Sequence, residues 1–364
     1  MQRRSFLKRA GLGAVAGAAV STPALAQDMP SVSWRLSSGF PAALDLRVGA
    51  AENFCKFVAE TTGGRFNIRH FPDGEVVAAA DLMQAVSTGK VECGHVSSRR
   101  YYAKNAAFCF DAAVPFGLNA RQMNAWMSDG EGLRLTRELF KPEKIINFPL
   151  GNTGAQMGGW YTREIKRTGD LKDLKMQVDG LAADVLARLG VAPQQADAAK
   201  LAEAFEKDGL QAVAGAGAYD DAKLGLNKVA KYYYAPGWWA GGEQLSLYIN
   251  ETAWNELPKH YQAVVQAAAL AAHAAATARY DALNPPALAQ LTASGAQVRA
   301  FPRSIMDAAF EATQQVYKDL GAKDPGFKAM HDSYMGFRDS EMPWFRLTEN
   351  AYGQYLGVAL SARS

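Results

Sequence analysis

Between Leu171 and Gln195 the hydrophobic positions change period within a few residues. Leu174, Met176 and Val178 alternate as in a short strand, and Leu181, Val185, Leu186 and Leu189 then recur at helical spacing. Asp179 and Gly180 lie at the change-over, and Gly190 stands where a helix C-cap needs a positive φ. A strand of an α/β sheet delivers its last residues to the ligand crevice, so Gln177 is expected to face a ligand.

The same alternation of periods organises the rest of the chain. Val32–Leu36 reads as a strand, Leu44–Glu60 as a helix, and Gly63–Phe71 as a strand through Phe66, Ile68 and His70. Asp81–Ser87 is a further helix and Val91–His95 a third strand. This β-α-β-α-β order predicts parallel strands with crossover helices, hence an α/β lobe. Leu150–Tyr161 and Lys175–Val178 open a second set, so two lobes of similar construction are expected. Asn250–Ala282 reads as one long Ala-rich helix ended by Asn284-Pro285-Pro286. Ala296–Phe301 follows as a strand, Ser304–Leu320 as a helix, and Phe327–Leu360 as a helical segment dense in aromatics that must be covered by this chain or a partner. There is no internal repeat and no low-complexity linker.

Composition sets the address. At 364 residues, 49% hydrophobic and 21% charged, the chain suits two globular domains. Its start differs: Gln2–Lys8 carries paired Arg3 and Arg4, a weakly apolar run spans Ala10–Val20, and Ala24-Leu25-Ala26 is a small-x-small cleavage pattern. That is an export signal of the twin-arginine kind over residues 1–26, and it implies a periplasmic mature protein. Those residues hold four basic side chains and no acid, so the net charge of +3 falls to −1 from Gln27 onward. No basic surface then remains to argue for a nucleic-acid or anionic-membrane partner. Cys55, Cys93 and Cys109 are too few and too scattered for a disulfide framework or a zinc site and read as core thiols.

Candidate chemistry is sparse. The five histidines, 70, 95, 260, 273 and 331, show no ligand spacing, and there is no nucleophile elbow, no Walker loop and no cysteine with an evident histidine partner. Gly215-Ala216-Gly217 starts like a dinucleotide fingerprint, but Asp220 holds the third glycine position. No enzyme is expected, and no cofactor. Three clusters suit a small polar ligand: Gly151–Trp160 with Asn152 and Gln156, Tyr232–Trp239 with Trp238 and Trp239, and Tyr101-Tyr102 preceded by Arg99-Arg100. Each reads equally as core packing; three at strand ends favour a pocket.

These segments resemble the DctP-type solute-binding proteins of tripartite ATP-independent periplasmic (TRAP) transporters. The likeness rests on WRLSSGFP with Phe40, VSTGKVECGH, AAVPFGLNARQMNAW, GNTGAQMGGWYTREI, YDDAKLGLNKVAKYYYAPGWW and NETAWNELP, and is nearest the branch that binds 2-keto acids with sodium. The resemblance implies the two-lobed periplasmic binding protein fold with a long bracing helix and a C-terminal helical extension. It also implies a cleft that closes on a small molecule, a membrane permease as partner, and a homodimer made by exchange of the C-terminal helix. On that basis lobe 1 is 27–150 plus about 243–283, lobe 2 is 151–242 plus about 284–326, and 327–364 is the exchanged segment. The site is expected from Phe40, Tyr101, Arg100, Asn152, Gln156, Trp160, Gln177, Trp238 and Trp239.

The departures carry their own expectation. Gln177 stands where the family has an arginine for the ligand carboxylate; Ala214, Gly215 and Ala240 stand where the keto-acid branch has its sodium-site glutamate, tryptophan and second glutamate. Sodium is therefore doubtful and no metal ligand is assigned. A glutamine amide cannot supply the charge of an arginine fork, so pyruvate should bind weakly and a neutral or larger ligand better, unless Arg99 or Arg100 brings the charge from the opposite lobe. A receptor feeding a permease is the leading reading. A degenerate paralogue acting as a sensor or interaction protein is the alternative.

Overall fold

The computed structural model describes residues 29–196 and 200–362. The export signal lies outside them. In chain order the first elements are β1 (Val32–Ser38), α1 (Asp45–Thr61), β2 (Phe66–Phe71), α2 (Leu82–Ser87) and β3 (Cys93–Val96). Then come α3 (Ala120–Ser128), α4 (Gly132–Phe140), β4 (Ile145–Asn152), β5 (Trp160–Tyr161), β6 (Lys175–Gln177), α5 (Gly180–Arg188) and β7 (Ala192–Gln194). They are followed by α6 (Leu201–Lys207), β8 (Ala212–Val213), α7 (Ala218–Lys223), β9 (Tyr232–Ala235) and β10 (Gln244–Asn250). The chain ends with α8 (Glu251–Glu256), α9 (Lys259–Ala293), β11 (Gln297–Ala300), α10 (Arg303–Lys323), α11 (Pro325–Phe345) and α12 (Ala351–Ser361).

Two sheets result. The first runs β2-β1-β3-β10-β4 and the second β11-β9-β5-β8-β6-β7. In the first, β2, β1 and β3 are parallel, as the βαβαβ period requires, and β10 enters antiparallel between β3 and β4. Every residue of β10 is buried because it is a central strand covered on both faces. Leu247 and Ile249 enter the core under α1 and α9, while Tyr248 joins the opposite face.

Several boundaries differ from the sequence expectation, each for a local reason. β2 starts at Phe66 because Gly63 and Gly64 adopt positive φ, +58° and +77°. The strand expected at Leu150–Tyr161 is two strands: β4 starts at Ile145 and belongs to the first sheet, and β5 belongs to the second. The long helix is also divided. Asn250 caps α8, its side chain accepting from Ala253 N at 3.0 Å, and Pro258 restarts the helix as α9. The pair Pro285-Pro286, expected to end the helix, lies inside α9. Both sides of the prolines are anchored: Tyr261 to Ala272 pack in the core of the first lobe, Ala287 and Leu291 in that of the second, and Asn284 Oδ1 accepts from Tyr219 N at 3.0 Å. At 35 residues, roughly 52 Å, α9 is long enough to brace both lobes.

The lobes are joined by two further crossings, residues 153–159 and 236–243, which run side by side. Gly237 N donates to Gln156 O (2.8 Å), Gln156 N to Ala240 O (3.2 Å), and Thr153 N to Glu243 O (3.0 Å). Gly237 permits this approach, since a Cβ there would sit 2.5 Å from Met157 O. The aromatic tail also divides. Phe327, Met330, Tyr334 and Met335 of α11 pack with Phe110 and Trp126 of the same chain, whereas no residue of 346–361 is buried.

Candidate functional site

The cleft between the sheets has a volume of about 540 Å³. Its walls come from the ends of strands that point to one edge. From the first lobe Phe40 follows β1, Ser97, Arg99 and Arg100 follow β3, Arg47 projects from α1, and Glu243 precedes β10. From the second lobe Gln177 ends β6, Asp179 follows it, Gly215 follows β8, and Asp220 and Asp221 belong to α7.

Glu243 is the centre of this arrangement. Its Oε1 accepts from Ser97 Oγ at 2.6 Å and faces Arg99 Nε at 3.0 Å; its Oε2 accepts from Gln156 Nε2 at 2.9 Å and lies 3.4 Å from Arg47 Nη1. Burial alone would raise its pKa, but Arg99 and Arg47 hold it down to about 2. Arg47 also reaches the other lobe, with Nε 2.9 Å from Asp220 Oδ2, and its guanidinium lies 5.2 Å from the Phe40 ring centre. Burial works against its charge, yet Glu243, Tyr280 and Asp220 together raise its pKa. Arg99 has a side-chain exposure of 24% and its Nε lies 3.4 Å from Asp179 Oδ1. Its fixed planar fork leaves further donors for a ligand. Arg100 is exposed at the mouth.

In the wall of the cleft, Asp221 is fully buried and pushed up to about 6 by that burial, with Trp160 Nε1 (3.1 Å), Tyr233 OH (2.7 Å) and Ala216 N (2.8 Å) donating to it. The turn that carries Arg99 is held by buried Asp111, which accepts from Ser98 and, at 2.7 Å, from Ser246 Oγ. Two buried acceptors next to the Glu243 group have no hydrogen-bond partner among the described residues, Gln156 Oε1 and Asp220 Oδ1.

Of the expected site residues, Phe40, Arg100 and Gln177 line the cleft, and Gly215 does too. The others are elsewhere. Trp160 is fully buried and stacks on Tyr233 at 4.1 Å, and Tyr101 lies in the core beside Phe108. Trp238 and Trp239 pack with Phe116 and Phe301 in the core that includes Ala214 and Ala240. Asn152 ends β4, its side chain accepting from Gly154 N at 3.0 Å, and Gln156 belongs to the crossing, where it touches Glu243 rather than open cleft. The glycine-rich and aromatic clusters thus build the crossing segments and the core beside them, where the backbones approach too closely to leave a pocket.

Arg47, Asp179, Asp220, Asp221 and Glu243 were not anticipated. Arg47 had a signal: it shares the buried stripe of Ala51, Phe54 and Val58 at i, i+4, i+7 and i+11. Glu243 had another, an acid set between Gly241-Gly242 and the alternating apolar positions Leu245, Leu247 and Ile249.

A cation would need oxygen ligands here. Among the described residues no group of three or more His, Cys, Asp or Glu is placed to hold a metal. The acids of the cleft floor, Asp220 and Glu243, already share the Arg47 guanidinium. Between those two acids the place of a cation is taken by the Arg47 guanidinium.

Two lobes facing each other across a polar cleft and joined by crossing segments define a small-molecule receptor. The chain belongs to the bacterial extracellular solute-binding proteins, family 7, the DctP type, whose model matches residues 38–324. It is 40% identical over 98% of its length, and 99% of the relative's, to a monocarboxylate 2-oxoacid-binding periplasmic protein of Nostoc sp.. A TRAP transporter solute-binding protein from Bordetella bronchiseptica, a mixed-occupancy dimer with copurified calcium and picolinate in the active site, is 46% identical with a TM-score of 0.89, covering 92% of this chain and 100% of that one. A TRAP periplasmic solute-binding protein from Colwellia psychrerythraea with bound calcium and pyruvate is 31% identical with a TM-score of 0.87, covering 89% and 99%. One from Pseudoalteromonas atlantica, with sodium and pyruvate, is 30% identical with a TM-score of 0.86 over the same shares. The protein is accordingly a periplasmic solute receptor of the TRAP class that works with a permease, and these likenesses favour transport over the sensor alternative. No described helix is long and apolar enough to cross a membrane.

Proposed function

We propose that this receptor captures a small organic acid carrying an acceptor atom next to its carboxylate, in the size range of pyruvate to picolinate, and presents it to the permease in the closed form. The observation that carries this reading is Arg99, a guanidinium directed into the cleft from the first lobe. It provides the positive charge that Gln177 lacks, so the expectation of a neutral ligand gives way to an acid. Pyruvate and picolinate, held by relatives, share a carboxylate with an acceptor on the neighbouring carbon. Because Arg47 supplies a positive charge between Asp220 and Glu243, binding in this chain does not depend on sodium or calcium. We further infer that residues 1–26 direct twin-arginine export and that the mature protein is a homodimer built on residues 346–361. No turnover accompanies binding.

Titration calorimetry of picolinate against its neutral amide, picolinamide, tests the charge. The acid binds and the amide binds far more weakly; Arg99→Ala costs the acid about 1.5–3 kcal/mol, roughly ten- to hundredfold in affinity. Equal binding of acid and amide, or an Arg99→Ala variant with unchanged acid affinity, would overturn the assignment.

A further inference from the structure

We propose that Arg47 is a resident cation: its guanidinium occupies the seat of a metal ion within an oxygen-lined site, and removing it converts the receptor from cation-independent to cation-dependent binding. This rests on the reading of the cleft as an organic-acid site and names the residue that sets its ionic requirement.

The geometry is that of a cation shared among hard oxygens. Arg47 Nε faces Asp220 Oδ2 at 2.9 Å and Nη1 faces Glu243 Oε2 at 3.4 Å, with side-chain exposures of 8%, 1% and 0% for the three residues. Tyr280 OH donates to the same Asp220 oxygen at 3.1 Å, and Gln156 Nε2 to the same Glu243 oxygen at 2.9 Å. Two carboxylates this deeply buried need a positive charge beside them, from a side chain or from an ion. The second observation is independent of that ion pair. Asp220 Oδ1 and Gln156 Oε1 are buried acceptors without a donor among the described residues. Carboxylate and amide oxygens are what calcium and sodium accept as ligands, and a guanidinium, whose donors lie in one plane, does not reach all of them.

Arg47 also joins the lobes, because it belongs to α1 of the first and Asp220 to α7 of the second. A charge tethered to one lobe and paired in the other favours closure, where a free ion would have to be recruited from solution. Truncation of the side chain leaves Asp220, Glu243 and the two orphan oxygens around a vacated space, with Arg99 as the remaining cation beside Glu243 and a net charge of about −1. That is a composition which takes up a hard cation.

The mature protein, dialysed against chelator, is titrated with calcium alone, then with picolinate with and without calcium or sodium. The wild type takes up no calcium in the ligand-free titration, and its picolinate affinity changes by less than about twofold with either ion. Arg47→Ala binds calcium, melts at higher temperature in its presence, loses at least about tenfold in picolinate affinity without an ion, and recovers with one. Stoichiometric calcium uptake by the wild type, or a folded Arg47→Ala that ignores calcium, overturns the proposal. Should Arg47→Ala not fold, Arg47→Lys decides: it keeps the charge and stays independent of ions, and calcium dependence in it refutes the assignment. If neither picolinate nor pyruvate binds any variant, the ligand class falls, while the ligand-free calcium titration still decides the role of Arg47.

Discussion

Glu243 is wholly buried and nevertheless ionised because two guanidiniums and two neutral donors converge on it. A folded-state pKa of about 2, below the ordinary carboxylate value near 4.5, means that its contribution to stability is complete above pH 4.5 and is lost as pH falls toward 2. Glu243→Gln removes that contribution at neutral pH and leaves Arg47 and Arg99 with one anion fewer, a loss of about 3 kcal/mol. The same change releases Arg99 toward the ligand, so affinity for an anionic ligand rises while the protein becomes less stable. Urea unfolding at pH 7 with calorimetry on the same sample reads both; unchanged stability would refute the account. Only part of this site was legible in the sequence. Gln177 ends a strand and Phe40 follows one, which brings both to the cleft, since strand ends have a fixed destination in an α/β lobe. Trp160, Trp238 and Trp239 were misplaced because an aromatic at a strand end packs equally well in a hinge or in a pocket wall. Arg47 escaped because its partners lie 173 and 196 residues away in the chain, and no local pattern records such a pairing.

Among the elements, α9 and β4 meet at one hydrogen-bonded histidine. His273 Nδ1 accepts from Gly151 N at 3.0 Å, so the ring proton is on Nε2, which donates to Asn124 Oδ1 at 2.7 Å. A second proton would set two N–H groups against each other, and burial already lowers the pKa to about 4. The ordinary value is about 6.5, so the unfolded chain binds the proton first and stability is lost as pH falls from 6.5 through 4, by about 2–3 kcal/mol from this group. Asp111 and Asp221, pushed up to about 6 by burial, act in the opposite sense, binding protons more readily when folded and adding stability as pH falls through 6. The test is therefore a difference: His273→Gln, unfolded in urea at pH 7 and pH 4, loses about 2–3 kcal/mol less than the wild type over that interval. Parallel curves for the two proteins would remove His273 from the acid response. The helices and parallel strands were legible because their periods are long and regular. β10 and the crossings were not: they are short, and their pairings are set by chain segments far away. The pair Pro285-Pro286 misled because packing on two lobes outweighs two missing ladder bonds.

At the scale of the whole molecule, the C-terminal helix has more apolar surface than this chain covers. Leu347, Tyr352, Tyr355, Val358 and Leu360 are 63–77% exposed, and Trp344, Leu347, Tyr355 and Val358 recur at three, eight and three residues, close to one helical face. A stripe of this kind on a monomer marks an interface. Fully burying an aliphatic or aromatic side chain contributes about 1.5–3 kcal/mol, so five from each of two copies give roughly 15–30 kcal/mol gross, above the ~4–15 kcal/mol that association costs. Arg121 pairs with Glu349 and lies 5.3 Å from the Phe345 ring centre, which fixes where the helix leaves the body. The preceding helix is different: Tyr334 OH accepts from Leu118 N at 3.1 Å and Arg338 Nη1 donates to Phe116 O at 2.6 Å, so α11 is part of this chain's own core. Removing everything from Phe327 would strip that core and confuse misfolding with dissociation; ending the chain at Phe345 separates them. The shortened protein is expected to sediment as a folded monomer at micromolar concentration with ligand affinity within about twofold of the full chain, since no residue of 346–361 lines the cleft. The full chain sediments as a dimer under the same conditions. A full-length monomer, or a shortened chain that remains dimeric, would show that this stripe is not the interface.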